Sequence, residues 1–380
     1  MTRAIGAYGD IQMNIQSIQE IFKSNWVFWL FTQKRWSVWI IISLIVFLPV
    51  VIFGIIAAVL GEFRLYAGNP LSYSGPIWVG LALIAYNWFT QAFPRTLIEF
   101  SPAMDASEEV IVFTIRKWAN QVANRLSIMI LATLPLSIAA IQDTVTLWTK
   151  PTSEWMGTLW VTQSVHPLFF AIVWSFYYGL SVSFMLGSGV VGITGCALLI
   201  NDLLKLPLKL EYHRRLQSVL DLSTGIGVWT FVSFAITVIG QAFIKPNSTE
   251  NLLTSSLFLS ILASIALLIA FLSPLIPAHN AIIRAKQKKL ELYEKRLYEI
   301  SNEIDHLVST KKSKVLEALQ KDRQLIKQQI KEIEDIPEWP ITVLSISKII
   351  SASVVMPFIN GIPDYVKGNI SEYLKSLLGK

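Results

Sequence analysis

The 380-residue sequence predicts an all-α integral membrane protein. It would have about six transmembrane helices, a cytoplasmic antiparallel helical hairpin with a coiled-coil seam, and interfacial amphipathic helices at both ends. Three observations lead there. The uncharged run Trp36–Gly61 exceeds the roughly 20 residues that a helix needs to cross about 30 Å of hydrocarbon. The chain is 53% hydrophobic and only 15% charged, with a mean hydropathy of +0.51, whereas soluble domains carry about 25% charged residues. Finally, basic residues alternate between successive connections as membrane topology requires.

Along the chain, Ile11, Ile15, Ile18, Phe22, Trp26 and Trp29 recur three or four residues apart, one face of a helix. This predicts an N-terminal cytoplasmic, interfacial helix over 1–35, lying on the bilayer surface before Lys34 and Arg35. Met1–Asp10 shows no apolar core with a small-residue cleavage site, so the first span is expected to act as an uncleaved signal anchor. A six-span domain over 36–278 follows. After Trp36–Gly61 come Ile77–Phe93, Leu126–Ile141 with Pro135 inside it, a fourth segment with its core at Pro167–Ile200, then Thr224–Ile244 and Leu252–Ala278.

The connecting charges test this count. Arg3, Lys23, Lys34 and Arg35 precede the first span, and Arg64 alone separates it from the second. Arg95, Arg116, Lys117 and Arg125 precede the third, and Lys150 alone precedes the fourth. Lys205, Lys209, Arg214 and Arg215 precede the fifth, Lys245 alone the sixth, and a strongly basic run follows. High and low counts alternate, which places both termini in the cytoplasm of a plasma or inner membrane. The net charge of +6 is therefore assigned to topology and not to nucleic acid.

The fourth segment is too long for one crossing. Pro167–Ile200 would make a helix of about 50 Å, so it either protrudes into the cytoplasm or is broken. Gly179, Ser183 and Gly187 follow at intervals of four, and Gly189, Gly192 and Gly195 at intervals of three. Such a small-residue face lets helices approach closely; the other reading is a hinge or a pore-lining broken helix. Asn87 is the polar group of the second span. Ser107–Trp118 and Leu203–Leu210 read as interfacial or subunit-contact segments.

At 279–336 the composition switches to Lys, Glu, Gln, Arg and Leu. Leu290, Tyr293, Leu297, Ile300, Ile304 and Leu307 alternate three and four apart, an a/d seam. The phase slips at Ser309–Ser313 and resumes with Val315, Leu319, Ile326, Ile330 and Ile333. Because 337–380 is largely apolar again up to Ile359, the chain must return to the membrane, which selects a hairpin over a straight stalk. The segment 337–380 is expected to be interfacial or re-entrant, since Lys348 interrupts it.

Catalytic patterns are missing from the sequence. It has no phosphate-binding loop, no dinucleotide fingerprint, no histidine pair at zinc spacing, and one cysteine, Cys196. His166, His213, His279 and His306 are scattered. The expectation is a protein that is no enzyme and has no cofactor or metal. Its partners would be the lipid bilayer, further copies of itself, and a cytoplasmic protein docked through 279–336, but no nucleic acid. Nearly uncharged spans fit a homo-oligomeric ion channel or pore with the hairpin as assembly or gating element. The alternatives are a non-conducting scaffold or sensor and, after it, a transporter of a neutral solute.

Overall fold

The computed structural model describes residues 14–32, 37–68, 71–125, 164–244, 249–310 and 313–339, with scattered helical residues between 127 and 142. Most of the third expected span, the connection that follows it, and 340–380 lie outside the described residues. Among the described residues the fold is all-helical; the nearest thing to a sheet is one isolated bridge between Met104 and Leu208.

Helix α1 (Ile15–Ile21) starts at a capping box, in which Asn14 Oδ1 accepts from the Ser17 amide at 2.9 Å and Ser17 Oγ accepts from the Asn14 amide at 3.0 Å. The N-terminal region is not one interfacial helix. It breaks after Phe22, and Asn25 starts α2 (Trp26–Thr32) by accepting the Val27 amide at 3.0 Å. Part of the apolar face expected to rest on lipid is packed internally, while Ile15 and Trp29 of that face are exposed. Ile18 and Phe22 are each 1% exposed, and the Phe22 ring packs on Phe28 at 5.0 Å and Phe93 at 5.6 Å.

Helix α3 (Val38–Val59) spans 22 residues, about 33 Å. Among the described residues it is the one helix long and apolar enough to cross a membrane, and only 22% of its most apolar window is buried. A core helix of a soluble protein would be mostly buried; this one shows Trp39, Leu44, Phe47, Leu48, Val51 and Ile55 to the outside. It ends where Gly61 turns to φ 75°, a left-handed position that favours glycine. There the Glu62 amide bonds back to Ala57 O at 2.8 Å.

After the short α4 (Phe63–Gly68), α5 (Leu71–Phe100) runs antiparallel to α3. Helix α6 (Glu108–Trp118) is followed by a π-helical turn at Ala119–Ala123. The fourth segment is helical throughout but changes its winding: α7 (Pro167–Trp174) passes through a π-helix at Ser175–Val182 into α8 (Ser183–Leu203). A 3-10 turn at Leu210–Leu216 leads into α9 (Gln217–Ile244). Helix α10 (Thr249–Thr310) is continuous over 62 residues, about 93 Å. It carries no Asp, Glu, Lys or Arg from 251 to 283. Helix α11 (Ser313–Glu334) folds back along it.

The seam of this hairpin joins Tyr293, Leu297, Ile300 and Ile304 to Leu316, Leu319, Ile326 and Ile330, with Leu307 half-buried. In α11 the expected Val315 points outward, 48% exposed, and Leu316 takes its place. Leu316, not Val315, keeps the three-and-four spacing with Leu319, Ile326, Ile330 and Ile333. At the base of the hairpin, Leu290, Tyr293 and Ile333 join the largest core, together with Leu199, Leu203, Leu220, Leu275 and Ile282.

Candidate functional site

The face of α8 is a row of sockets. A Cβ on Gly187 would overlap Thr133, one on Gly195 would lie 2.7 Å from the Trp118 indole, and one on Gly189 would lie 3.3 Å from the Tyr86 hydroxyl. Gly192 faces open space. Gly179 lies in the π-helix; its surroundings and those of Ser183 lie outside the described residues. Thr133 and the Trp118 indole thus enter the small-residue face at Gly187 and Gly195. Trp88 of α5 enters α9 in the same way at Gly225, a socket that residue spacing did not flag.

Polar groups accompany these sockets. Tyr86 donates its hydroxyl proton to Met185 O, and Trp26 Nε1 donates to Ser188 Oγ at 3.3 Å. Asn87 Oδ1 is buried without a hydrogen-bond partner among the described residues, as is Trp118 Nε1. An unpaired buried carbonyl of this kind costs about 1–3 kcal/mol.

Beyond the sockets, the connections sort into two ends. At one end, Asn25 Nδ2 donates to Ala123 O at 2.7 Å and Asn124 Nδ2 donates to Ile21 O at 2.9 Å, a reciprocal clasp between helix termini. The Lys209 amide donates to Ala103 O and the Asp105 amide to Pro207 O, both at 2.7 Å. Arg284 donates to Leu204 O at 2.8 Å, and Lys289 pairs with Glu211 at 2.9 Å. At the opposite end, Glu62, 9% exposed, accepts from the Ser164 hydroxyl and, at 2.9 Å, from the His166 amide. Ser72 donates to Tyr66 O at 2.6 Å.

The hairpin is tied to the first end by a buried cation. Lys286 is 8% exposed and donates to Glu334 O at 2.8 Å and Ile336 O at 3.0 Å, with the Glu338 carboxylate 3.9 Å away. A cation at the last carbonyls of α11 also complements the helix dipole. Beside it, the His279 ring stacks on Trp339 at 3.9 Å, and its Nδ1 lies 3.0 Å from Glu338 O. The sequence hid this clasp, because Lys286 reads as one more solvated lysine.

The Lys289 ammonium, by hydrogen bond and charge, holds the Glu211 carboxyl below its ordinary value of 4.5. A depressed carboxyl contributes stability above its unfolded value and loses it as the pH falls through the folded one. The stability difference between wild type and Lys289→Gln is therefore expected to be full at neutral pH and to be lost as the pH falls through the lowered Glu211 value. Chemical denaturation across that range measures it. An unchanged difference at low pH would remove the pair from the account.

Among the described residues no group of three His, Cys, Asp or Glu is placed to hold a metal ion. His166, His213 and His279 stand apart at the two ends; His306 lies on the hairpin. No family model, curated protein or solved structure matches this chain. Its geometry must carry the functional reading alone.

Proposed function

We propose that the chain is a multi-pass membrane protein crossing a plasma or inner membrane six times. In this reading it is a scaffold or sensor, and the cytoplasmic hairpin is its working end. The observation that carries the second part is the unbroken helix α10, which runs from the uncharged stretch at 251–283 into the hairpin. Lys286 fixes the return of α11 and so holds the hairpin to the lower part of α10, below Pro274 and Pro277. A partner docked on 279–336 would then be coupled to helices inside the bilayer.

Sorting of the connections supports the topology. Segments whose charge predicts a cytoplasmic place touch one another: 14–25 with 123–124, 103–105 with 207–209, and 204–211 with 284–289. Those predicted to be outside, 62 and 164–166, touch each other as well. Nothing in the charge count required helix packing to agree with it. The expected result is that a cysteine at Thr310 reacts with a membrane-impermeant maleimide only after the cells are opened. Labelling in intact cells would invert the topology.

A second reading, the homo-oligomeric channel, is favoured by the unpartnered Asn87 Oδ1 and by the π-helix at Ser175–Val182, a geometry frequent at functional sites. Current across a planar bilayer separates the two readings. Discrete unitary steps from the purified protein would establish a pore, and a silent bilayer with correctly assembled protein would leave the scaffold.

A further inference from the structure

We infer that the cytoplasmic boundary of the lipid contact surface runs at the level of Trp39, Trp88, Ser188 and Gly225. Below that level α5, α8, α9 and α10 continue as a water-facing helical body. The inference rests on the membrane reading above and adds where the lipid stops.

Heights can be matched across the helices. Val46 of α3 faces Gly80 of the antiparallel α5, so Trp39, seven residues before Val46, is level with Asn87 and Trp88. Tyr86 reaches Met185 and Gly189 of α8, and Trp88 enters the socket at Gly225 of α9. These pairs define one plane. From it to the far ends, α3 runs to Val59, α5 to Leu71, the α7–α8 segment to Pro167 and α9 to Ile244. Each stretch is roughly 27–33 Å at 1.5 Å per residue, the thickness of bilayer hydrocarbon.

Charge divides at the same plane. Above it none of these stretches carries an acidic or basic residue. Below it come Arg95 and Glu99 on α5, Asp202 on α8 and Asp221 on α9, all four exposed. Trp29 and Trp39, 55% and 64% exposed, project at this level, where an indole gains from having one end apolar and the other wet. The body below has its own apolar interior, with Phe93, Leu97, Leu199, Leu203, Leu220 and Leu275 among its members. It therefore needs no lipid to bury it. The excess length of Pro167–Ile200 is then the part of α8 below the plane, and Gly192 and Gly195 lie outside the hydrocarbon.

Depth-dependent quenching tests the boundary. Single cysteines replace Phe47, Trp39, Leu198 and Ile276, each exposed in the full chain, and carry an environment-sensitive fluorophore in phosphatidylcholine–phosphatidylglycerol vesicles. Cys196, 1% exposed, stays unlabelled, which the parent protein verifies. Lipids spin-labelled deep in the acyl chain should quench position 47 at least threefold more than position 39. Headgroup-labelled lipid should quench position 39 most. Positions 198 and 276 should respond to aqueous iodide and to neither lipid; a response to no quencher would equally keep lipid away from them and uphold the boundary. Lipid quenching at 198 and 276 as strong as at 47 would overturn the boundary and leave the membrane reading standing. Iodide quenching at 47 without lipid quenching would sink the membrane reading itself, and the boundary with it. A label at Trp29 provides a second boundary position if Trp39→Cys does not assemble.

Discussion

Gly195→Leu is expected to lower the melting temperature in detergent by about 3–6 °C, whereas Gly192→Leu, three residues earlier on the same helix, changes it little. The difference follows from what each Cβ meets. At Gly195 it would lie 2.7 Å from Trp118 Cζ2 and 2.8 Å from Cη2; at Gly192 nothing lies within 4 Å. Trp118 cannot swing aside, because Phe22 and Ala119 pack round it in the main core. Overpacking a tight core costs about 1–3 kcal/mol and a branched chain exceeds a single methylene, so about 3 kcal/mol is a fair figure. With an unfolding entropy of roughly 2 cal/mol/K per residue, a chain of 380 residues moves its melting point by about 1–2 °C for each kcal/mol.

The prediction sharpens with a double variant. Trp118→Ala alone leaves a cavity and should cost about 3–5 kcal/mol. Combined with Gly195→Leu, the new side chain occupies part of that space, so the double variant should be more stable than the sum of the singles implies. A coupling of about 1 kcal/mol or more is expected for groups sharing one void. Additive effects would mean that Gly195 and Trp118 do not meet. Gly61 makes a poor control for such a series, since at φ 75° any larger residue is strained whatever space surrounds it.

What the sequence revealed and what it hid divide along one line. Periodicity reports which face of a helix is apolar, and so Leu297, Ile300 and Ile304 could be read as a seam before their partners were visible. It does not report what fills a gap. The glycine row of α8 suggested close approach, but nothing in its spacing says that Trp118 enters at Gly195 or that Gly192 is left open. The break at Asn25 was hidden for a related reason. Apolar spacing carries on through it, and only the side-chain bond to the Val27 amide shows that a new helix begins there. Tertiary choices of this kind are made by contacts distant in sequence, which a pattern confined to one segment does not contain. Val315 is a different case: counting back by three and four from Ile333 through Ile330, Ile326 and Leu319 reaches Leu316, so the seam residue was legible there and Val315 misreads the register.

Lys286→Met is expected to loosen the hairpin at its base while leaving its tip intact. The methionine keeps most of the apolar stem and removes the ammonium group, so the change tests the hydrogen bonds and not the packing. Wild-type Lys286 satisfies Glu334 O and Ile336 O, two carbonyls at the end of α11 that have no helical partner. Bonds from a charged donor contribute about 1.5–3 kcal/mol, and a loss of about 2 kcal/mol corresponds to roughly thirtyfold faster amide exchange where opening is local. That increase should appear over 326–336. It should not reach Leu316 and Leu319, whose seam with Ile300 and Ile304 is untouched. Lys288→Met, at an exposed position two residues away, supplies the comparison and should exchange like wild type. If the scaffold reading is right, the same substitution has a second consequence. A hairpin released at its base no longer passes displacement into α10, so a partner bound to 279–336 would remain bound but would cease to alter the helices above the Trp39 level. Fluorophores at Trp39 and Phe47, read with and without that partner, would register the uncoupling. Equal signals in wild type and Lys286→Met would show that the clasp holds the fold together without transmitting anything through it.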